Sequence, residues 1–232
     1  MNGHFNNALS NLQNMLGTMS AYAEEAVLLS GKAVNDISLE SAAQVIAGDE
    51  KIDSMEIEIE EECLKILALH QPVASDLRQV ITILKVNNEL ERIGDLAVNM
   101  AERVGNIASF KDVSIASFKD VSIEKFDFSD MLHTACVMLK DALDSLVYHD
   151  AVLAQNVINR DDEVDKIHHD NYGIVRTFIL KHPDCAQYYL NGLTISRCLE
   201  RIADIATNIA EDVIYLESGK IVRHCHEMEK KL

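Results

Sequence analysis

The chain has 232 residues, 48% of them hydrophobic, with two prolines, nine glycines and a formal net charge of −17 from 38 acidic and 21 basic side chains. That apolar content suffices to bury a sizeable core, and the sparse punctuation favours long helices over strands and turns. The negative surface repels phosphate backbones, which excludes sequence-nonspecific nucleic-acid binding and favours cations or a basic face on a partner.

Apolar residues recur with helical spacing nearly throughout. A first helix is expected over roughly 5–34, with Phe5, Leu9, Leu12, Leu16, Met19, Ala23 and Val27 on its stripe. A second covers roughly 38–70, and Pro72 stops it. A third runs over roughly 74–105. The pattern then repeats with a fourth helix over roughly 127–149 and a fifth over roughly 151–181, N-capped by Asp150 and ended by Pro183. A sixth spans roughly 185–217. The fold class is therefore all-α: two tandem antiparallel three-helix bundles, residues 1–107 and 125–232, related by internal pseudo-two-fold symmetry.

The repeat is explicit in the third and sixth helices. Leu90-Glu91-Arg92-Ile93-Gly94-Asp95-Leu96-Ala97-Val98-Asn99 recurs as Leu199-Glu200-Arg201-Ile202-Ala203-Asp204-Ile205-Ala206-Thr207-Asn208, and ten of fifteen positions match over 90–104 against 199–213. Between the halves, residues 108–124 read as a linker containing a literal tandem duplication, Ala108–Ile115 repeated as 116–123. Surface connections tolerate such insertions, so no function is assigned to it.

On the third helix Glu91, Asp95, Asn99 and Glu102 share one side, while Leu90, Ile93, Ala97, Met100 and Val104 face the other way. Glu200, Asp204, Asn208 and Glu211 repeat this on the sixth. The second helix adds Asp49, Asp53, Glu56 and Glu60, answered on the fifth by Asp161, Asp165, His168 and Tyr172 at the same offsets. Like charges at i and i+4 repel by a few tenths of a kcal/mol. Their recurrence in four corresponding places calls for something that offsets the repulsion. A solvated face is one reading; carboxylate walls that chelate a cation are the other, and oxygen-only sets suit magnesium, calcium, manganese or iron. The candidate metal ligands are Asp49, Asp53, Glu91, Asp95 and Asn99 in the first half, with Asp161, Asp165, Glu200, Asp204 and Asn208 in the second. With Tyr172 where the first half has Glu60, the second site is the one expected to differ.

Weaker candidates are His168-His169 and His224-Cys225-His226, while Arg92 and Arg201 neutralise nearby carboxylates or meet a partner. No glycine-rich phosphate loop or nucleophile setting is visible, so the chain does not read as an enzyme. The first seven residues lack the basic and apolar regions of a signal peptide, and no apolar run approaches the ~20 residues of a membrane helix. Five isolated cysteines without C-x-x-C spacing complete a cytoplasmic reading.

These residues resemble the PhoU family of phosphate-transport regulators across nearly the whole chain. The resemblance rests on Gln71-Pro72-Val73-Ala74-Ser75-Asp76-Leu77-Arg78, Lys85, the two Leu-Glu-Arg-Ile-x-Asp motifs, and the end from Val213-Ile214-Tyr215-Leu216 through Gly219-Lys220 to Val222-Arg223-His224. It implies two three-helix bundles and commonly a homodimer. It also implies multinuclear metal clusters on the Asp49/Asp53, Glu91/Asp95, Asp161/Asp165 and Glu200/Asp204 motifs, holding iron or zinc, with magnesium or manganese also proposed. The implied role is a cytoplasmic adaptor that restrains phosphate uptake and starvation signalling. Its implied partners are the phosphate ABC transporter's ATPase and a phosphate-sensing histidine kinase, through which alone it would reach the membrane. Ala203 at Gly94's position, and His182–Gln187 in place of the Gln71–Arg78 run, depart from the pattern. Two other readings stay open: a carboxylate-bridged metalloenzyme or metal-storage bundle, and an accessory domain of a sodium–phosphate cotransporter.

Overall fold

The computed structural model describes residues 2–117 and 127–219. Among them lie α1 (Asn2–Asp36), α2 (Leu39–His70), α3 (Ala74–Ser117), α4 (Ser129–Tyr148), α5 (Ala151–Ile158), α6 (Asp161–Lys181) and α7 (Ala186–Ser218), with one 3₁₀ turn at Pro183–Cys185 and no strand. None of the described helices is long and apolar enough to cross a membrane. The Lys220–His226 segment, including His224-Cys225-His226, and most of the second copy of the duplication lie outside the described residues.

Local chemistry sets the helix ends. Ser38 caps α2 by accepting from the Ser41 N–H at 3.2 Å. Gln71 turns left-handed at φ 47° ahead of Pro72, and its N–H closes the last turn on the Leu67 carbonyl. Asp150 caps α5 as expected, accepting from the Val152 and Leu153 N–H groups.

α1, α2 and α3 pack together as the first bundle; α4, α5, α6 and α7 form the second. The apolar stripes read from the repeat are the core: Leu90, Ile93, Ala97 and Met100 are fully buried, as are Leu199, Ile202, Ala206 and Ile209. The buried cluster is continuous through both halves, because α3 also packs on α7 and α1 on α4. Contacts of Lys85 with Asp212 and of Glu89 with Asn208 show α3 and α7 running antiparallel.

Two elements differ from expectation. The third helix does not stop near 105 but runs to Ser117, inside the 108–124 span expected to be linker. Beyond 105 the Phe110 ring anchors the helix, packing 5.7 Å from Tyr188 of α7. The expected helix over 151–181 is broken at Asn159-Arg160, giving α5 and α6. There the Arg160 N–H bonds the Val157 carbonyl in a tightened turn, and its guanidinium reaches Asp141 of α4 at 3.0 Å. Asp161, Asp162 and Glu163 then occupy the first turn of α6, where the free N–H groups favour negative charge.

Candidate metal centre

Each acidic stripe of α3 and α7 faces a second acidic helix. In the first half Asp49 of α2 opposes Gly94 of α3 so closely that a Cβ at 94 would stand 2.8 Å from Asp49 Oδ1 and 3.1 Å from Ile52 Cδ1. The glycine in the motif therefore answers a close approach of two helices. Asn87, fully buried on α3, holds the pair together by donating to the Glu56 carbonyl at 2.9 Å. Asp49 Oδ1 is buried without a hydrogen-bond partner. Burial, followed by the charges of Asp53 and Asp95, pushes its carboxyl up to about 6. The Glu91 carboxyl is raised for the same reasons, by burial and then by Asp95, Glu56, Asp53 and Asp49.

In the second half Asp161, Asp165 and Asp204 each offer a carboxylate oxygen, and the three oxygens lie within 4.8 Å of one another. Asp161 Oδ1 is again buried, beside the buried Thr207 hydroxyl, whose hydrogen lowers the Asp161 carboxyl without forming a well-aligned bond. Burial and the Asp165 and Asp204 charges push Asp161 up to about 6. Burial, Glu200 and Asp165 do the same to Asp204. Glu200 is also raised, chiefly by burial and Asp165.

The structure thus brings Asp49 within electrostatic reach of Asp53 and Asp95, and Glu91 within reach of all three, and clusters Asp161, Asp165 and Asp204 with Glu200 beside them. The two asparagines use their amide hydrogens outside these carboxylate groups. Asn99 donates to the Asp95 carbonyl within its own helix, and Asn208 turns across the interface to Glu89 at 3.4 Å. His168 is positioned by Ser196 at 2.9 Å, which also receives Asn171 at 3.0 Å. Burial, then the Arg197 charge, holds the His168 imidazole below its ordinary range. Arg92 pairs with Glu89 at 2.8 Å. The second half was expected to differ from the first, and among the described residues it is where three carboxylate oxygens converge. The break before Asp161, absent from α2, is the structural difference, and Thr207 is the neighbouring side chain that charge spacing alone could not reveal.

The donor set fits a hard divalent cation. Carboxylate oxygens that repel one another, with Asp49 Oδ1 and Asp161 Oδ1 buried, form the oxygen-only kind of set that hard cations take, while the Arg201 charge offsets part of the repulsion at Asp204 and Glu200.

Comparison with known proteins gives a consistent result. The sequence model of the PhoU domain matches twice, at residues 16–104 and 128–213. A phosphate-specific transport system accessory protein PhoU homolog from Aquifex aeolicus is 35% identical over 212 residues, covering 91% of this chain and 92% of that protein. The homolog from Pseudomonas aeruginosa is 36% identical over 220 residues, covering 95% and 88%. Among solved structures, PhoU from Pseudomonas aeruginosa superposes with a TM-score of 0.86 at 34% identity, covering 93% of this chain and all of that one. The phosphate transport system regulatory protein PhoU from Streptococcus pneumoniae gives 0.78 at 27% identity, covering 94% and 99%.

Proposed function

The chain belongs to the PhoU family, and from that premise we propose that it is an accessory protein of a phosphate-specific transport system. In this reading it acts as a cytoplasmic negative regulator of phosphate uptake and phosphate-starvation signalling. It works as an adaptor, meeting the transporter's ATPase and a phosphate-sensing histidine kinase, and assembles as a homodimer. No catalytic turnover is assigned to it.

The acidic walls are assigned to divalent cations: Asp161, Asp165 and Asp204 with Glu200 in the second half, and Asp49, Asp53, Glu91 and Asp95 in the first. A bound cation would supply the positive charge that these walls lack. The chain's own side chains hold the walls in register and set how negative the outer faces of α3 and α7 remain. The single observation behind this assignment is the convergence of Asp161, Asp165 and Asp204, each with a carboxylate oxygen within 4.8 Å of the other two, with Asp161 Oδ1 buried.

Two experiments test the reading separately. Protein purified without chelators is analysed for metals beside an Asp161→Asn/Asp204→Asn variant; unchanged metal content, or none in either, overturns the cation assignment. A strain lacking the gene is assayed for phosphate uptake and starvation-gene expression at high phosphate. Normal values for both overturn the regulatory role.

A further inference from the structure

The second half carries a buried polar network that its acidic residues do not explain. Ser196 of α7 is fully buried, and Asn171 of α6 is 7% exposed. Asn171 donates to Ser196 Oγ at 3.0 Å, and His168 Nδ1 lies 2.9 Å from the same oxygen. The hydroxyl of Ser196 is itself directed at the Met131 sulfur, at 3.4 Å. With its one hydrogen pointing there, Ser196 Oγ accepts from both neighbours, and His168 carries its proton on Nδ1. That leaves a lone pair on Nε2.

The first half is built differently at the same place. The register that sets Asp53 against Asp165 sets Glu56 against His168 and Ile59 against Asn171. The offset that maps Leu90 onto Leu199 maps Asn87 onto Ser196. Ile59 is a fully buried core residue, and Asn87 donates to the Glu56 backbone carbonyl. Three replacements on two helices therefore act together in the second half, and their joint product is one imidazole held in one orientation. Burying an asparagine where an isoleucine would pack is costly. Hydrogen-bonding one ring nitrogen so that the other presents its lone pair is how proteins orient metal-ligating histidines.

The ring is presented to an acidic recess. His168 lines an opening between α6 and α7 together with Asp165 and Glu200. It lies one turn along α6 from Asp165, as Glu200 lies one turn along α7 from Asp204. Asp161 meets Thr207 while His168 meets Ser196, so the helices run antiparallel and both steps lead the same way. The imidazole stands outside the three-oxygen group of Asp161, Asp165 and Asp204 and marks the position next to it.

We propose that His168 Nε2 is a metal ligand at a second cation position of this half, beside the three-aspartate group and completed by Asp165 and Glu200, and that this position selects zinc over magnesium and manganese. Imidazole suits zinc, whereas carboxylate-only sets suit magnesium and manganese. The position rests on the reading that the acidic walls hold cations, and it makes the two halves chemically unlike. The corresponding residues of the first half, Asp53, Glu56 and Glu91, offer oxygen alone.

The test uses the full chain stripped of metal, in a His224→Ala/Cys225→Ser/His226→Ala background that removes the clustered ligands of the tail. Zn²⁺ and Mn²⁺ are titrated by calorimetry, and X-ray absorption at the zinc edge counts imidazole ligands. One imidazole on zinc is expected. His168→Phe should abolish that signal and weaken Zn²⁺ by roughly 10-fold or more, with Mn²⁺ unchanged; Ser196→Ala, which keeps the ring but removes its support, should weaken Zn²⁺ by roughly 10-fold. His169→Phe should change neither cation. Zinc bound without imidazole, or an imidazole signal that survives His168→Phe or vanishes in His169→Phe, overturns the inference; where Mn²⁺ still binds, the cation assignment stands without it. Protein that binds neither cation rejects both. If His168→Phe melts early, Ser196→Ala decides: unchanged Zn²⁺ affinity there rejects the site.

Discussion

Lys85 Nζ of α3 lies 3.1 Å from Asp212 Oδ1 of α7, and the Asp212 carboxylate is 4% exposed. The pair ties the first bundle to the second. Its counterpart under the internal symmetry is Thr194 with Arg103, which cannot form an ion pair. The seam between the halves is therefore electrostatically one-sided, although the core beneath it is nearly symmetric.

Removing Lys85 leaves Asp212 in the seam without this cation. Lys85→Met should destabilise the protein by about 1–3 kcal/mol, less than for a fully buried pair because the lysine is partly solvated. Lys85→Met/Asp212→Leu should recover part of that loss, since both charges of this pair are then removed together. Urea unfolding of the wild type, the two single variants and the double variant measures the coupling. Additive losses would show that the pair contributes nothing to the seam.

Gly31 of α1 lies at a close approach of α1 to α4. A Cβ there would stand 2.7 Å from the terminal methyl Leu132 Cδ1 and 3.0 Å from the branch carbon Cγ behind it, so turning a methyl alone does not clear the contact. Alanine ordinarily gains about 1 kcal/mol over glycine inside a helix. Here overpacking outweighs that gain, and Gly31→Ala should cost about 1–2 kcal/mol net. In the Leu132→Ala background the same substitution should become stabilising. A stability gain from Gly31→Ala alone would mean that the α1–α4 crossing relaxes freely.

Most helices were legible because their apolar residues recur every 3.6 positions, and the i, i+4 carboxylates were legible because one helix fixes that geometry by itself. What escaped depends on contacts between distant segments. The break at Asn159-Arg160 serves an Arg160–Asp141 pair, and the extension of α3 past 105 rests on Phe110 meeting Tyr188. Neither partner is marked by local periodicity. The same holds for the site. Spacing identified Asp161, Asp165 and Asp204 individually, but their convergence within 4.8 Å follows from how α6 starts beside α7.

Gly94→Ala separates packing from the acidic site. The new Cβ meets the ends of two side chains, Asp49 Oδ1 and Ile52 Cδ1, which can rotate away. Stability should change by no more than about 1 kcal/mol, because the helix-propensity gain offsets the contact. The Asp49 carboxylate, however, must leave its place. Calorimetric titration with Mn²⁺ should show weaker binding in the first half, with the second half unaffected. Unaltered binding in both halves would show that Asp49 takes no part.

The raised carboxyls make the metal-free protein's stability depend on pH in a stated direction. Asp49, Asp161 and Asp204 sit at about 6 when folded, against an ordinary aspartate value of 3.8. Between those values the folded chain binds more protons than the unfolded one, so these groups make stability rise as pH falls from 7 towards 4. Their repulsion is fully present above about pH 6. Thermal melts of chelated protein should therefore show a gain from pH 7 to 5 that is smaller in Asp161→Asn/Asp204→Asn. Cation binding runs the opposite way, since the ligands must be deprotonated. At pH 7.5, Mn²⁺ at 100 times its Kd should add about 2.7 kcal/mol, a Tm rise on the order of 5–10 °C, and the rise should fade below pH 6. A wild-type profile that coincides with that of the double variant, with or without Mn²⁺, would remove the three aspartates from both the titration and the cation site.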